Sequence, residues 1–431
     1  MKECAVDFID VDGLKLPPMH WVEQQFDVPP AVDAAAEIDR QWERVKNDIS
    51  LSPGQEIAVG VGSRGIANLV TVVRKVVSKL RQAGYQSFIT PAMGSHGGAT
   101  ADGQTAVLAA RGITAESVGA PVRATMQVVP MGQVDGIPIF QNQLAHDAAG
   151  IVLINRVKPH TDFSGPTESG IIKMMAIGLG NQVGAEHYHR LSVVRSMYDI
   201  ISTAGKALIE KSNLLFGIAL VENQLHQTAI LKMIPPSQIE AEEIALLKQA
   251  DVCLPRIPLQ DIDLLIIDEM GKDISGAGID PIVTGRYTCA FMTPKPGPRI
   301  SRIFVRDLTA ATEGCALGIA QADVTTRRLV GAIDFASTAA NALTSCGPED
   351  VRVPLAFDSD REALAAVLMT LRPYTLDDLR IVHIKNTLAL SRMMVSKGCL
   401  EALRPNPSVK ISNAATPLAF NADGNLEPVF A

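Results

Sequence analysis

The sequence predicts an α/β protein of two domains with mostly parallel sheets, and three observations predict it. The chain is 431 residues long, more than one ordinary domain holds. It is 47% hydrophobic but only 4% aromatic, so its cores must be built from Ile, Leu, Val, Ala and Met. Such aliphatic cores suit buried parallel strands covered by helices. Strand patterns then alternate with helix patterns, and the alternation restarts after a proline-bearing stretch near the middle.

Taken in order, residues 1–56 open with short extended pieces, and Pro29-Pro30 introduces a helix over 31–48. IAVGVGS (57–63) reads as a buried strand, and 66–84 as an amphipathic helix stopped by Gly84. A strand at 87–92, a helix at 103–111 and strands at 124–130 and 150–158 follow. One long helix is expected over 191–211, then a strand at 216–221 and a helix at 236–250. DVCLPRIPLQDID (251–263) reads as a linker. Beyond it come strands at 264–269, 302–308 and 380–387 and helices at 333–345 and 361–371. The expected domains are 1–255 and 256–431, with an irregular tail after Asn406 that could pack on either.

Composition narrows the function classes. Against 39 basic residues stand 46 acidic ones, a formal net charge of −7, with no basic block, which disfavours nucleic-acid binding. Six cysteines at 4, 253, 289, 315, 346 and 399 form no CxxC pair, so neither a disulfide framework nor a cysteine zinc site is expected. The charged opening MKECAVDFIDVDG does not read as a signal peptide, and no apolar run reaches the ~18 residues of a membrane span. A soluble cytoplasmic protein with no membrane partner is the expectation.

Ligands of open parallel sheets bind at the carboxyl ends of the strands. Ser63-Arg64-Gly65, Gly94-Ser95-His96-Gly97-Gly98, Lys158-Pro159-His160, Glu269-Met270-Gly271-Lys272 and Asn386 all fall there. Seven of the eight histidines precede residue 227. Imidazole serves as acid, base or metal ligand near neutral pH, which makes His96, His160 and the His187/His189 pair candidates. His187 and His189 would share a face on a strand and diverge on a helix. His20, His146, His226 and His383 lack a glycine-rich frame and read as structural. Lys173 lies in the apolar run SGIIKMMAIGLGN, where it either snorkels or is desolvated and nucleophilic. Arg64, opening a helix, suits a phosphate or carboxylate, and Lys272 suits an anion. Neither GxxxxGK[ST] nor a GxGxxG after a strand is present.

Together VGSRG, GSHGG, KPH, the Lys173 stretch, AEHYHR and EMGK resemble the lactate racemase family, over about residues 55–390. The resemblance implies two α/β domains with the active site in the cleft between them. It also implies racemisation or epimerisation of a 2-hydroxy acid by an isomerase that uses a nickel-pincer nucleotide (pyridinium-3-thioamide-5-thiocarboxylic acid mononucleotide carrying Ni). By resemblance Lys173 tethers that cofactor, and His189, with His187 as the alternative, ligates nickel. His96 and His160 are the acid/base pair, Arg64 meets both cofactor and substrate, and Lys272 and Glu269 meet the substrate. Cofactor-making enzymes are implied partners, and a homo-oligomer is allowed. An oxidation-reduction route avoids removing a weakly acidic Cα proton, and inversion through a flat 2-oxo acid needs a base on each side. Three departures bear on substrate. Val61 stands where the family has an acidic residue, the loop TDFSGPTES is longer, and Glu269 replaces a neutral amide. They point away from lactate toward a larger or differently substituted 2-hydroxy acid such as a sugar acid or dicarboxylate. Two other readings remain open. One is a zinc hydrolase or lyase on His96, His160 and His187 or His189 with Glu168 or Glu186 as base. The other is a non-catalytic nucleotide- or anion-binding protein relying on Arg64 and Lys272.

Overall fold

The computed structural model describes residues 8–289 and 291–430. Cys4 and most of the opening read as non-signal lie outside the described residues. The chain divides into two compact units, Val28–Leu254 and Met1–Asp27 with Pro255–Ala431. Both are mixed α/β with large, mostly parallel sheets, the fold class expected.

In the 28–254 unit, five strands run in the order Gln86–Pro91, Glu56–Val61, Gly150–Arg156, Leu214–Glu222, Thr228–Ile234. The first four are parallel and the last is an antiparallel edge. Alternation along Glu56–Val61 builds two cores. Ile57, Val59 and Val61 pack with helices Ala34–Val45 and Leu69–Gln82, while Ala58 faces the core of Ile171, Ile200, Ala204 and Leu246. Asp33 starts the first helix by accepting the N–H of Ala35 and Ala36.

Several expectations need correction here. The helix expected over 191–211 spans Met197–Lys211, capped by Ser196 at Asp199 N, and a separate helix, Asn181–Ser192, precedes it. The strand placed at 124–130 is the first half of a hairpin, Val128–Val134 with Ile137–Asn142, forming its own two-stranded sheet. Helix Ile239–Val252 runs into the expected linker, and strand Asp261–Met270 begins inside it.

The other unit carries eight strands in the order Leu355–Phe357, Val324–Thr326, Arg299–Leu308, Asp261–Met270, Ile381–Ile384, Arg392–Ser396, Met19–Gln24, Val409–Thr416. The first five are parallel and the last three pair antiparallel. Residues 1–27 therefore group with this unit and not with the first domain, because Met19–Gln24 hydrogen-bonds to two of its strands. Likewise the tail read as irregular contains the strand Val409–Thr416. Across three neighbouring strands of this sheet, Arg306 binds Asp268 at 2.6 Å and His383 Nε2 lies 2.6 Å from Asp268, while Arg306 also binds Asp360 at 2.7 Å. Among the described residues no helix is long and apolar enough to cross a membrane.

Candidate active site

Three loops and one helix turn of the 28–254 unit meet at the carboxyl ends of its parallel strands. The first loop follows Glu56–Val61 and holds Ser63 and Arg64. The second follows Gln86–Pro91 and holds His96, whose Nδ1 is hydrogen-bonded to the Ser63 hydroxyl. Gln104, fully buried, donates to Gly94 O at 2.8 Å and steadies that second loop. Gly94 is in the left-handed region at φ 62°, and a Cβ there would stand 3.1 Å from Ile177. Its glycine lets the loop lie against the turn that follows Lys173.

The third loop, 158–169, is closed at its neck by paired backbone bonds of 3.2 Å between Lys158 and Ser169. Inside it the buried Glu168 carboxylate accepts the backbone N–H of His160 and of Gly165. The loop presents His160, stacked on Phe163 at 4.3 Å, and Asp162.

Lys173 ends the short helix Ile171–Lys173, and a π-helical turn, Met174–Gly178, follows. Such turns widen the ladder and concentrate at functional sites. The buried Glu243 of helix Ile239–Val252 anchors the segment by accepting the N–H of Ile171 and Ile172. Gly170 leaves room for that carboxylate, since a Cβ would collide with it. Burial pushes the Glu243 carboxyl up to about 7, against the two N–H groups.

The Lys173 Nζ lies 2.6 Å from His160 Nε2. The residue keeps a partial opening to solvent, yet burial of the amine pulls its pKa down to about 8. Asp162 and Glu168 oppose that pull, while Arg64 and Lys158 add to it. His189 falls to about 4 through burial, with Asp162 opposing and Lys173 assisting. Its ring therefore keeps a lone pair at neutral pH. Arg64 is lowered by burial and then by Arg156 and Arg111, against Asp162. One carboxylate, Asp162, thus acts on Lys173, His189 and Arg64 alike.

On helix Asn181–Ser192 the two neighbouring histidines diverge. His187 is exposed, its Nδ1 2.8 Å from Val183 O, while His189 is half-buried within electrostatic reach of Lys173. Glu186 pairs with Arg190 at 2.7 Å. Among the described residues no three His, Cys, Asp or Glu side chains group to hold a metal ion, so the all-protein zinc centre finds no ligand set.

Lys272 and Glu269 belong to the other unit. Lys272 Nζ donates to Asn341 Oδ1 and its N–H to Thr312 at 3.1 Å, while Glu269 accepts from Asn386 Nδ2 at 2.9 Å. His20 Nδ1 lies 3.1 Å from Ser412 O, and the buried His383 meets Asp268. Sequence reasoning missed Asp162 and Glu243 as site residues. Glu243 had a signal, since it lies on the apolar face shared by Ile239, Leu246 and Leu247. Asp162, in a polar loop, had none.

Among solved structures the chain is similar to the lactate racemase apoprotein from Thermoanaerobacterium thermosaccharolyticum, at 13% identity and a TM-score of 0.44, over 90% of this chain and 92% of that chain. No protein-family model matches the sequence, and no curated protein matches it.

Proposed function

We propose that the chain is a racemase or epimerase of a 2-hydroxy acid that works with a nickel-pincer nucleotide joined to Lys173. The observation that carries this reading is the Lys173 amine, desolvated and 2.6 Å from His160 Nε2. The residues present fit the group. A desolvated amine can form the covalent tether, and His189, unprotonated down to about pH 4, offers an imidazole lone pair to a metal.

When bound, the group supplies the acceptor and donor of hydride. The chain's own residues do the rest. His96 and His160 take and return the hydroxyl proton, one for each face of the flat 2-oxo acid. The Ser63 hydroxyl can donate to His96 Nδ1 or accept from it, so His96 keeps its partner in either protonation state. Arg64 holds the carboxylate while the remainder turns over. Asp162 balances the positive charge of Arg64. The longer 158–169 loop favours a substrate larger than lactate.

The test is co-expression with the cofactor-making enzymes, followed by intact-protein mass spectrometry, nickel analysis and a screen of 2-hydroxy acids for epimer formation. An adduct on Lys173 with bound nickel is the expected result. Absence of both overturns the proposal.

A further inference from the structure

The hydrogen bonds around His160 settle which way protons point. Its Nδ1 accepts the backbone N–H of Asp162 at 3.1 Å. A backbone N–H only donates, so Nδ1 carries a lone pair and the neutral ring carries its hydrogen on Nε2. That Nε2–H points at Lys173 Nζ, 2.6 Å away. Nζ must then accept, which requires an amine and not an ammonium. Burial lowers the Lys173 pKa to about 8, which enlarges the amine fraction near neutral pH. Lys173 as a residue is half-buried. Within electrostatic reach of the amine stand Arg64 and Lys158, and opposite them Asp162 and Glu168. A lone-pair nitrogen beside a proton donor and a guanidinium suits a carbonyl adjacent to a carboxylate.

We propose that Lys173 of the cofactor-free chain forms a reversible imine with small 2-oxo acids, the carboxylate held by Arg64. The Nζ lone pair makes the N–C bond as the carbonyl π pair moves to oxygen. That oxygen takes up the two amine protons, carried by His160 and solvent, and leaves as water. Amine plus ketone gives imine plus water, with no change in oxidation state. The inference rests on the Lys173–His160 geometry and stands apart from the racemase reading. Where both hold, a 2-oxo acid competes with the cofactor for the same nitrogen.

The experiment uses the purified full-length chain made without cofactor enzymes. It is incubated with pyruvate, reduced with borohydride, and digested for peptide mass spectrometry. One reduced adduct on the Lys173 peptide is expected, absent in Lys173→Arg and absent when lactate replaces pyruvate. Loss of the proton carrier in His160→Ala, or in His160→Gln should the alanine variant misfold, slows labelling by about 100-fold. Acetone, which lacks the carboxylate, labels far more slowly, and Arg64→Ala narrows that gap. Labelling spread evenly over surface lysines, or equal rates for pyruvate and acetone at Lys173, overturns the proposal.

Discussion

Replacing Glu243 by Gln tests the buried carboxylate under the Lys173 segment. Glu243 is 1% exposed, and its partners are the N–H groups of Ile171 and Ile172. Burial raises its pKa from 4.5 to about 7. At 1.36 kcal/mol per pH unit that is worth about 3 kcal/mol. The sign follows from proton binding. Between 4.5 and about 7 the folded chain binds more protons at this site than the unfolded chain. The site's stabilisation is therefore complete below pH 4.5 and lost as pH rises through 7. Glutamine does not titrate, and all other groups cancel in the comparison. The unfolding free energy of Glu243→Gln minus that of the parent should rise by about 3 kcal/mol between pH 4.5 and 8. The chain has two tryptophans, Trp21 and Trp42. In a Trp21→Phe background, the buried Trp42, 6.3 Å from Phe216, reports on the 28–254 unit alone. Urea titrations followed by Trp42 fluorescence supply the numbers. A difference constant to within about 0.5 kcal/mol across that range would refute the reasoning.

Gly170→Ala drives a methyl into the Glu243 carboxylate and should cost about 1–3 kcal/mol by the same Trp42 assay. His189→Ala should abolish nickel uptake by the cofactor-loaded chain, while His187→Ala, exposed and bonded to Val183 O, leaves it intact. Uptake by the parent should persist to about pH 5, because His189 stays unprotonated until about pH 4; metal analysis across pH checks both statements. Asp268→Ala strips Arg306 and His383 of a shared partner and should destabilise the other unit by about 3–5 kcal/mol. Trp21 fluorescence in a Trp42→Phe background measures it.

The elements legible in the sequence are those whose periodicity is strong. Leu69–Gln82 presents Leu69, Val72, Val73, Val76, Val77 and Leu80 on one face, and Asp261–Met270 centres on the apolar run Leu264–Ile267. Met19–Gln24 and Val409–Thr416 were illegible because they gain their identity from each other. Only Met19 and Val22 of the first are buried, and most of the second is exposed. The helix Asn181–Ser192 was hidden because its buried face, Asn181, Gly184, Ala185, Tyr188 and Ser192, is mostly small or polar and gives no apolar periodicity. At the site, glycine-framed His96 and the isolated Lys173 stood out by residue type. Distances did not. That Lys173 meets His160 depends on the neck of the 158–169 loop and on Glu168 within it, a pairing without periodicity. Asp162 acquires its reach over three cations or near-cations only once that loop is folded.

The strand Met19–Gln24 has its hydrogen-bonding neighbours at Arg392–Ser396 and Val409–Thr416. On a ribosome moving at ~5–20 residues per second, it waits roughly 20–80 s for them to be made. During that interval the whole 28–254 unit emerges and can close on itself, while the earliest strand hangs with both edges unpaired. An unpaired edge invites the wrong neighbour. Its exposed Glu23 supplies a gatekeeper during the wait. Two strands made late are those that finally secure Met19–Gln24.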